Sequence, residues 1–201
     1  MFALSELVWA LIGLILTIGS TWLEAFVFKV PGSLWRLEGG GLELYSLGVT
    51  FQVGAALFTG CMGGKNAAAL SQIAYVMLGI VLFERFGFEV FAQGAGVGYL
   101  REPSFGYLLG FIPAGWLCGA LAFQAKATLE RLGFAALCGL LVVHLSGVSY
   151  LVFGYLFRWV TVDSSLLSAI MNYSVLQIPG QVMVACAIAL IAYGLRRALF
   201  Y

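Results

Sequence analysis

The chain has 201 residues, of which 62% are hydrophobic and 9% are charged, and its mean hydropathy is +1.02. Soluble globular domains are about 45–50% apolar and about 25% charged, so this composition excludes a soluble domain. Ten basic and nine acidic residues give a formal net charge of +1, whereas nucleic-acid binding depends on many basic contacts to phosphate. We therefore predict a single integral membrane domain over residues 1–201 that lies in a lipid bilayer and binds no nucleic acid.

Long apolar segments along the chain predict an all-α bundle of six transmembrane helices. A helix needs about 20 apolar residues to cross the roughly 30 Å hydrocarbon core of a bilayer, and a chain of this length has room for about six such helices. The predicted spans are Leu7–Phe28, Tyr45–Met62, Ala67–Phe83, Phe105–Ala125, Leu132–Phe157 and Leu166–Leu195. A tight turn at Gly63-Gly64-Lys65-Asn66 joins the second and third spans, and Pro179-Gly180 interrupts the last one.

A glycine-rich loop separates the third and fourth predicted helices. It runs over Glu84–Pro103 and contains Gly94, Gly96 and Gly98. Connections longer than about 12–15 residues are uncommon in compact domains and are usually functional when they occur. We expect this loop to contribute to a binding site.

Six spans place both termini on one side of the membrane, and the basic residues indicate which side that is. The loops on the side of the termini contain Lys65, Lys126, Arg131, Arg196 and Arg197. The opposite loops contain Lys29, Arg36, Arg85, Arg101 and Arg158. The numbers are equal, but basic residues close to the span ends set orientation, and the short turns on the side of the termini concentrate theirs there. We predict a plasma-membrane protein with cytoplasmic termini.

The fourth predicted span carries a small residue at every fourth position. These residues are Gly106, Gly110, Ala114, Cys118 and Ala122. Small residues at this spacing let membrane helices approach each other closely. Two interpretations remain open, namely packing inside the bundle and docking of another membrane subunit.

The sequence offers no residues for catalysis, for a metal or for a nucleotide. The centres of the predicted spans contain no Asp, Glu, Lys or Arg, although ion-coupled carriers place such groups there. His144 is the one candidate, either as a histidine hydrogen-bonded inside the bundle or as a proton relay. The segment Gly60–Asn66 lacks the first glycine and the final Ser or Thr of a Walker A loop. We therefore predict a protein that is not an enzyme and needs no cofactor.

Two sequence runs flank the end of the glycine-rich loop. They are Phe91-Ala-Gln-Gly94-Ala-Gly96 and Pro103-Ser-Phe-Gly106-Tyr-Leu-Leu-Gly110-Phe111. Over about Leu47–Ile188, the chain resembles the BioY family, the biotin-capturing S components of energy-coupling factor (ECF) transporters. The resemblance implies a six-helix S-component fold and a vitamin pocket closed by loops on the outer side. It also implies a transmembrane T component and two ABC-type ATPases as partners.

In S components the first helix often carries an Ala-x-x-x-Ala motif that contacts the T component. Here the small residues near that position are Ala10, Gly13 and Thr17.

The resemblance also implies a binding site for biotin or a related small vitamin. At the family's Asp, Lys and Arg ligand positions, this chain has Gln181, Val184 and Gly94. The amide of Gln181 has both donors and an acceptor, which match a cyclic urea, and the backbone N–H groups of Gly94–Gly98 can form a nest for a carboxylate. The predicted substrate-binding residues are Gln181, Gln52, Gly94, Gly96, Gly98, Tyr99, Tyr107 and Asn172.

Two functions follow from these observations. The first is a substrate-binding subunit that captures biotin for ATP-driven uptake through an ECF complex. The second is a structural or assembly subunit that kept the S-component fold and lost the pocket. A solitary passive facilitator would need a continuous polar pore, which the apolar spans do not offer. A cavity lined by Gln181 and the 91–107 loop would favour the first function, and side chains filling that space would favour the second.

Overall fold

The computed structural model describes residues 3–29, 43–87, 90–91, 94–160 and 165–200. It contains six helical elements and two strands, joined in places by 3-10 or π-helical turns. In chain order they are α1 (Leu4–Gly19), a 3-10 turn (Ser20–Trp22), β1 (Glu24–Lys29), β2 (Glu43–Thr50), α2 (Gln52–Phe86), a 3-10 helix (Val97–Arg101), α3 (Phe105–Ala122), α4 (Leu129–Leu156), α5 (Leu166–Ile170), a π-helical turn (Met171–Val175) and α6 (Ile178–Phe200).

Four segments among the described residues are long and apolar enough to cross a membrane. They are Leu4–Trp22, Phe105–Ala122, Leu129–Leu156 and Leu166–Leu199. The last three agree within a few residues with the predicted fourth, fifth and sixth spans. The chain is thus a mainly helical, multi-pass membrane protein.

Residues 24–29 and 43–50 form a β-hairpin rather than parts of helices. β1 and β2 pair in antiparallel fashion, with Phe26 opposite Ser46, and the Ser46 hydroxyl donates a hydrogen bond to Glu24 Oε2 over 3.0 Å. The all-α prediction is therefore wrong for this part, as are the end of the first predicted span and the start of the second. Both segments are rich in aromatic and β-branched residues, which favour strands, and average hydropathy does not distinguish a strand from a helix.

α2 reverses its direction at Gly64. The backbone there has φ 81° and ψ 179°, a left-handed conformation that glycine adopts without strain. Gln52 and Tyr75 would lie about 35 Å apart along a straight helix at about 1.5 Å per residue, yet the Gln52 Nε2 atom is 2.5 Å from the Tyr75 hydroxyl. The two halves, residues 52–63 and 65–86, are therefore antiparallel, and the predicted turn at 63–66 is confirmed.

The small-residue stripe of α3 lies inside the bundle. All five of its members are buried. A Cβ atom on Gly106 would lie 2.2 Å from Tyr150 Cβ on α4, and one on Gly110 would lie 3.1 Å from the Val143 carbonyl oxygen. The stripe lets α3 and α4 pack closely, so the interpretation as internal packing is confirmed and docking of another subunit on this stripe is wrong.

The small residues of α1 are also used within the chain. Ala10, Gly13 and Thr17 are buried, and a Cβ atom on Gly13 would lie within 3 Å of the Thr59 and Ser71 side chains of α2. This face of α1 packs against α2 and is not open to a partner protein.

The last span is interrupted where the sequence predicts. The π-helical turn Met171–Val175 precedes α6, and Pro179 lies in the first turn of α6. Proline lacks an N–H group and clashes with the carbonyl four residues earlier, which explains a break at this point. The next residue, Gly180, has no side chain, so β2 approaches α6 closely; a Cβ atom there would lie 2.9 Å from the Leu47 carbonyl oxygen.

Candidate ligand cavity

A cavity of about 270 Å³ lies at the end of the bundle that carries the β-hairpin. This volume is near the lower end of the range of about 300–1,000 Å³ that is usual for small-molecule sites. The lining residues come from β2, from α2, from the segment before α3, and from α3, α4 and the last span. They are Gly48, Val49, Thr50, Gln52, Val53, Tyr99, Ser104, Tyr107, Leu108, Phe111, Val143, Tyr173, Gln177 and Gln181.

A larger groove of about 510 Å³ runs between α1, the start of α2 and α6. Its walls include exposed apolar side chains such as Ile15, Leu23 and Ile191. Ligand sites combine apolar walls with a few converging polar groups. The groove has the character of a lipid-facing surface, whereas the smaller cavity fits a ligand site.

The structure brings four of the eight predicted site residues to the cavity. Gln52, Tyr99, Tyr107 and Gln181 line it. Gly94, Gly96, Gly98 and Asn172 do not line it, and Asn172 is exposed. The role of all eight in ligand binding stays a prediction.

Backbone N–H groups of the glycine-rich segment have partners within the protein. The Gly96 N–H donates to the Gly79 carbonyl oxygen over 3.1 Å, and the Gly94 N–H donates to the Phe91 carbonyl oxygen over 3.5 Å. Gly94 and Gly96 both have positive φ, which favours glycine. These two N–H groups therefore hold the segment in place, and neither is directed towards a ligand.

Two buried polar atoms on the cavity wall make no hydrogen bond of good geometry to the described residues, although Ser174 lies near the Tyr107 side chain and His144 lies near that of Gln181. They are the Tyr107 hydroxyl and Gln181 Oε1, and the Tyr107 side chain is 9% exposed. More than about 90% of buried polar groups in proteins are paired, and an unpaired one costs about 1–3 kcal/mol. A ligand with complementary donors and acceptors would satisfy both atoms.

Helical spacing directs these side chains to the cavity. On α3, the residues Tyr107, Leu108 and Phe111 are spaced so that they share one face with Ser104 before it. On the last span, Gln177 and Gln181 are four residues apart and share a face, and the Gln181 N–H donates to the Gln177 carbonyl oxygen over 3.0 Å. Two helices thus place polar groups on the cavity wall.

Gln52 is held in position by a buried network. Its amide nitrogen donates to the Tyr75 hydroxyl over 2.5 Å and to Thr21 Oγ1 over 3.4 Å, and Tyr75 donates to the Val90 carbonyl oxygen over 3.3 Å. Because the nitrogen is committed to the protein, the amide oxygen is the atom of Gln52 that remains for a ligand.

An aromatic row anchors the segment that contributes Tyr99 to the cavity wall. Phe91 is fully buried, and its ring centroid is 5.3 Å from that of Tyr75 and 4.7 Å from that of Tyr99. Gly79 makes room for this ring, since a Cβ atom there would lie 2.1 Å from Phe91 Cζ. Burial raises the pKa of the Tyr99 phenol, which therefore stays protonated and uncharged at neutral pH.

His144 lies next to the cavity wall and is hydrogen-bonded within the bundle, as one interpretation of the sequence predicts. Its Nδ1 atom is 2.7 Å from Ser174 Oγ, and its ring centroid is 6.1 Å from that of Tyr107. Its Nε2 atom is buried without a hydrogen-bond partner among the described residues. His144 thus packs against the Tyr107 ring.

Sequence reasoning missed several lining residues. Gln177 has a detectable signal, since it lies one helical turn before Gln181. No sequence signal marks Gly48, Val49 and Thr50. Their segment was predicted as helix, and only the hairpin brings it to the cavity.

Taken together, the helical bundle and its cavity define a multi-pass membrane protein with a candidate ligand cavity at one end. A solved structure with the same fold is the "S-component for biotin from an ECF-type ABC transporter", with a TM-score of 0.66, 16% sequence identity and coverage of 96% of this chain and 90% of that one. The BioY family model matches residues 2–200, and the chain belongs to the BioY family.

Two relatives are similar in sequence. A 21.2 kDa protein of the psbX-ycf33 intergenic region of Cyanophora paradoxa is 28% identical over 195 residues, which cover 96% of this chain and 95% of the relative. The "Probable biotin transporter BioY" of Lysinibacillus sphaericus is 32% identical over 117 residues, which cover 58% of this chain and 57% of the relative.

Proposed function

We propose that this chain is the membrane-embedded subunit that captures biotin, or a closely related vitamin, for ATP-driven uptake through an ECF complex. The observation that carries the proposal is the pair of unpaired polar atoms, the Tyr107 hydroxyl and Gln181 Oε1, in a cavity of the chain. Membership of the BioY family and the S-component fold support the same function.

The cavity chemistry matches the head group of biotin. A cyclic urea offers two N–H donors and one carbonyl acceptor. Gln181 Oε1 and the oxygen of Gln52 accept hydrogen bonds, and the Tyr107 hydroxyl donates one. Tyr99, Phe111 and Tyr173 provide aromatic walls for the apolar part of the ring system. Gly94, Gly96, Gly98 and Asn172 would then act around the cavity rather than on its wall.

The fold supports a single domain with six passes through the membrane and both termini on one side. Residues 65–86 are long enough to cross, at about 33 Å, and residues 52–63 with β2 supply a further pass. Near one end of the bundle, Asn66 donates to Glu6 Oε1 over 2.8 Å. At the same end, Arg196 donates to the Cys61 and Ala122 carbonyl oxygens over 3.3 and 3.1 Å. This end is cytoplasmic in the proposal, and the cavity opens near the outer surface.

Saturable binding of tritiated biotin to the purified full chain tests the proposal. We expect binding at micromolar concentration or below, and a loss of affinity of about 2- to 12-fold for Gln181→Leu, because one hydrogen bond is worth about 0.5–1.5 kcal/mol and about 1.4 kcal/mol is tenfold. Gln124→Leu is the matched control, since Gln124 is exposed at the opposite end. A folded protein that binds no biotin at micromolar concentration would contradict the biotin assignment.

The coupling part of the proposal has a separate test. The chain alone in liposomes should bind biotin without accumulating it, and accumulation should need a T component, two ABC-type ATPases and ATP. Uphill uptake by the chain alone, driven by a sodium or proton gradient, would contradict ECF coupling. Copurification of those partners with the tagged chain would support it directly.

The alternative function, a structural or assembly subunit without a substrate, has one observation in its favour. Val184, at the family's Lys position, is 3% exposed and packs against Gly54, whose Cβ would lie 2.7 Å from Val184 Cγ1. The open cavity lined by Gln181 and by Tyr99 and Tyr107 supports the substrate-binding function instead.

A further inference from the structure

The cavity wall carries no charged side chain among the residues that the structure describes. Its polar groups are the amides of Gln52, Gln177 and Gln181, the hydroxyls of Thr50 and Ser104, and three phenols. Arg101, the basic residue closest in sequence to the wall, is exposed and does not line the cavity. The electrostatic character of the described wall is therefore neutral.

A carboxylate inside such a cavity would be unfavourable. Burying an ion without an opposite charge costs several kcal/mol even after relaxation. The N–H groups of Gly94 and Gly96, which could have offset part of that cost, donate to carbonyl oxygens of Phe91 and Gly79. The described wall thus offers a ligand carboxylate neutral donors but no positive charge within the cavity.

The unpaired atoms in the wall suit an uncharged ligand group. Gln181 Oε1 accepts a hydrogen bond, and the Tyr107 hydroxyl either donates or accepts one. An amide or urea offers both functions at once and carries no charge. At about 270 Å³, the cavity lies near the lower end of the range for small-molecule sites, which suits a compact head group.

We propose, on the basis of the proposed function, that the site selects its ligand by an uncharged urea or amide head group and does not recognise a carboxylate. The substrate class then includes neutral conjugates of biotin, such as its amide and its esters, together with the free acid. The carboxylate of bound biotin lies outside the cavity, in contact with water.

Competition against tritiated biotin on the purified wild-type full chain tests this proposal. Biotinamide and biotin methyl ester are expected to displace the label with dissociation constants within about threefold of that of free biotin, a difference of about 0.65 kcal/mol. If both neutral compounds bind at least about tenfold more weakly than biotin, a carboxylate contact exists, and the proposal is overturned while biotin capture stands.

A variant series gives a second measurement. Gln181→Leu should weaken the binding of biotin and of biotinamide by the same factor, because both present the same urea. Gln124→Leu should leave both affinities unchanged. A loss confined to the free acid would show that residue 181 contributes to carboxylate recognition and would overturn the proposal. If the folded wild-type chain binds neither biotin nor its neutral derivatives, the proposed function fails together with this inference.

Discussion

At the scale of single residues, the cavity wall contains buried polar atoms that make no hydrogen bond to the part of the chain that the structure describes. The Tyr107 hydroxyl and Gln181 Oε1 are buried without a hydrogen bond to the described residues, whereas the Tyr75 hydroxyl contacts Gln52, Thr21 and the Val90 carbonyl. A buried polar group without a hydrogen bond lowers the stability of the ligand-free protein, and a hydrogen-bonded one raises it. Comparing the two tyrosines therefore separates a binding role from a structural one.

Tyr107→Phe should leave the stability of the ligand-free protein unchanged or raise it, because the substitution removes an unpaired hydroxyl and keeps the ring. It should weaken biotin binding by about 3- to 10-fold, the equivalent of about 0.65–1.4 kcal/mol. Denaturant unfolding in detergent and equilibrium binding measure the two effects. Tyr75→Phe is the control and should lower stability by about 1 kcal/mol. A loss of stability in Tyr107→Phe with unchanged binding would show that its hydroxyl is structural.

At the scale of elements, the position of the glycine-rich segment depends on the close approach of the Phe91 ring to Gly79. The Phe91 ring lies against Gly79 of α2 and between Tyr75 and Tyr99, and the Gly79 carbonyl oxygen accepts from the Gly96 N–H. Because Tyr99 lines the cavity, the packing at Gly79 sets the position of one cavity wall.

Gly79→Ala should therefore lower both stability and biotin affinity. The new methyl group would lie 2.1 Å from the buried Phe91 ring, and overpacking a core costs about 1–3 kcal/mol. The control is Gly194→Ala in α6, which has nothing within 4 Å of the new Cβ and should gain about 0.5–1 kcal/mol from the helix preference of alanine. If the two substitutions have equal effects, the contact between Gly79 and Phe91 does not position the segment.

Elements that consist of one long apolar run could be predicted from the sequence. Elements that depend on contacts between distant residues could not. α3 and α4 were predicted within a few residues, and the turn at Gly64 was visible as a pair of glycines. The β-hairpin was hidden because the apolar residues of its strands continue the apolar runs of the neighbouring helices α1 and α2. Four cavity residues were found through the family resemblance, but Gly48–Thr50 reach the cavity through the pairing of β2 with β1 and its close approach to Gly180, which no local pattern encodes.

At the scale of the whole molecule, the contacts divide the loops and helix ends into two groups, one at each end of the bundle. The start of α1, the turn at Gly64 and the ends of α3 and α6 meet through Glu6, Asn66 and Arg196. The β-hairpin, the segment before α3 and the break in the last span meet around the cavity. A buried arginine at the first end donates to two helix carbonyls and lies 4.2 Å from the centroid of the Phe123 ring, so that end is tied together without a ligand. The cavity end, by contrast, has buried polar atoms without a hydrogen bond to the described residues.

This division predicts which loops face the outside of the cell. In a background with Cys61, Cys118, Cys138 and Cys186 replaced by alanine, Arg158→Cys marks the cavity end and Gln124→Cys marks the opposite end; both native residues are exposed. A membrane-impermeant maleimide added to intact cells should label Arg158→Cys alone, because a capture site must meet its ligand outside and the termini are proposed to be cytoplasmic. Permeabilised cells, in which both positions should react, provide the control. Labelling of Gln124→Cys alone in intact cells would place the cavity on the cytoplasmic side, where it could not capture an external vitamin.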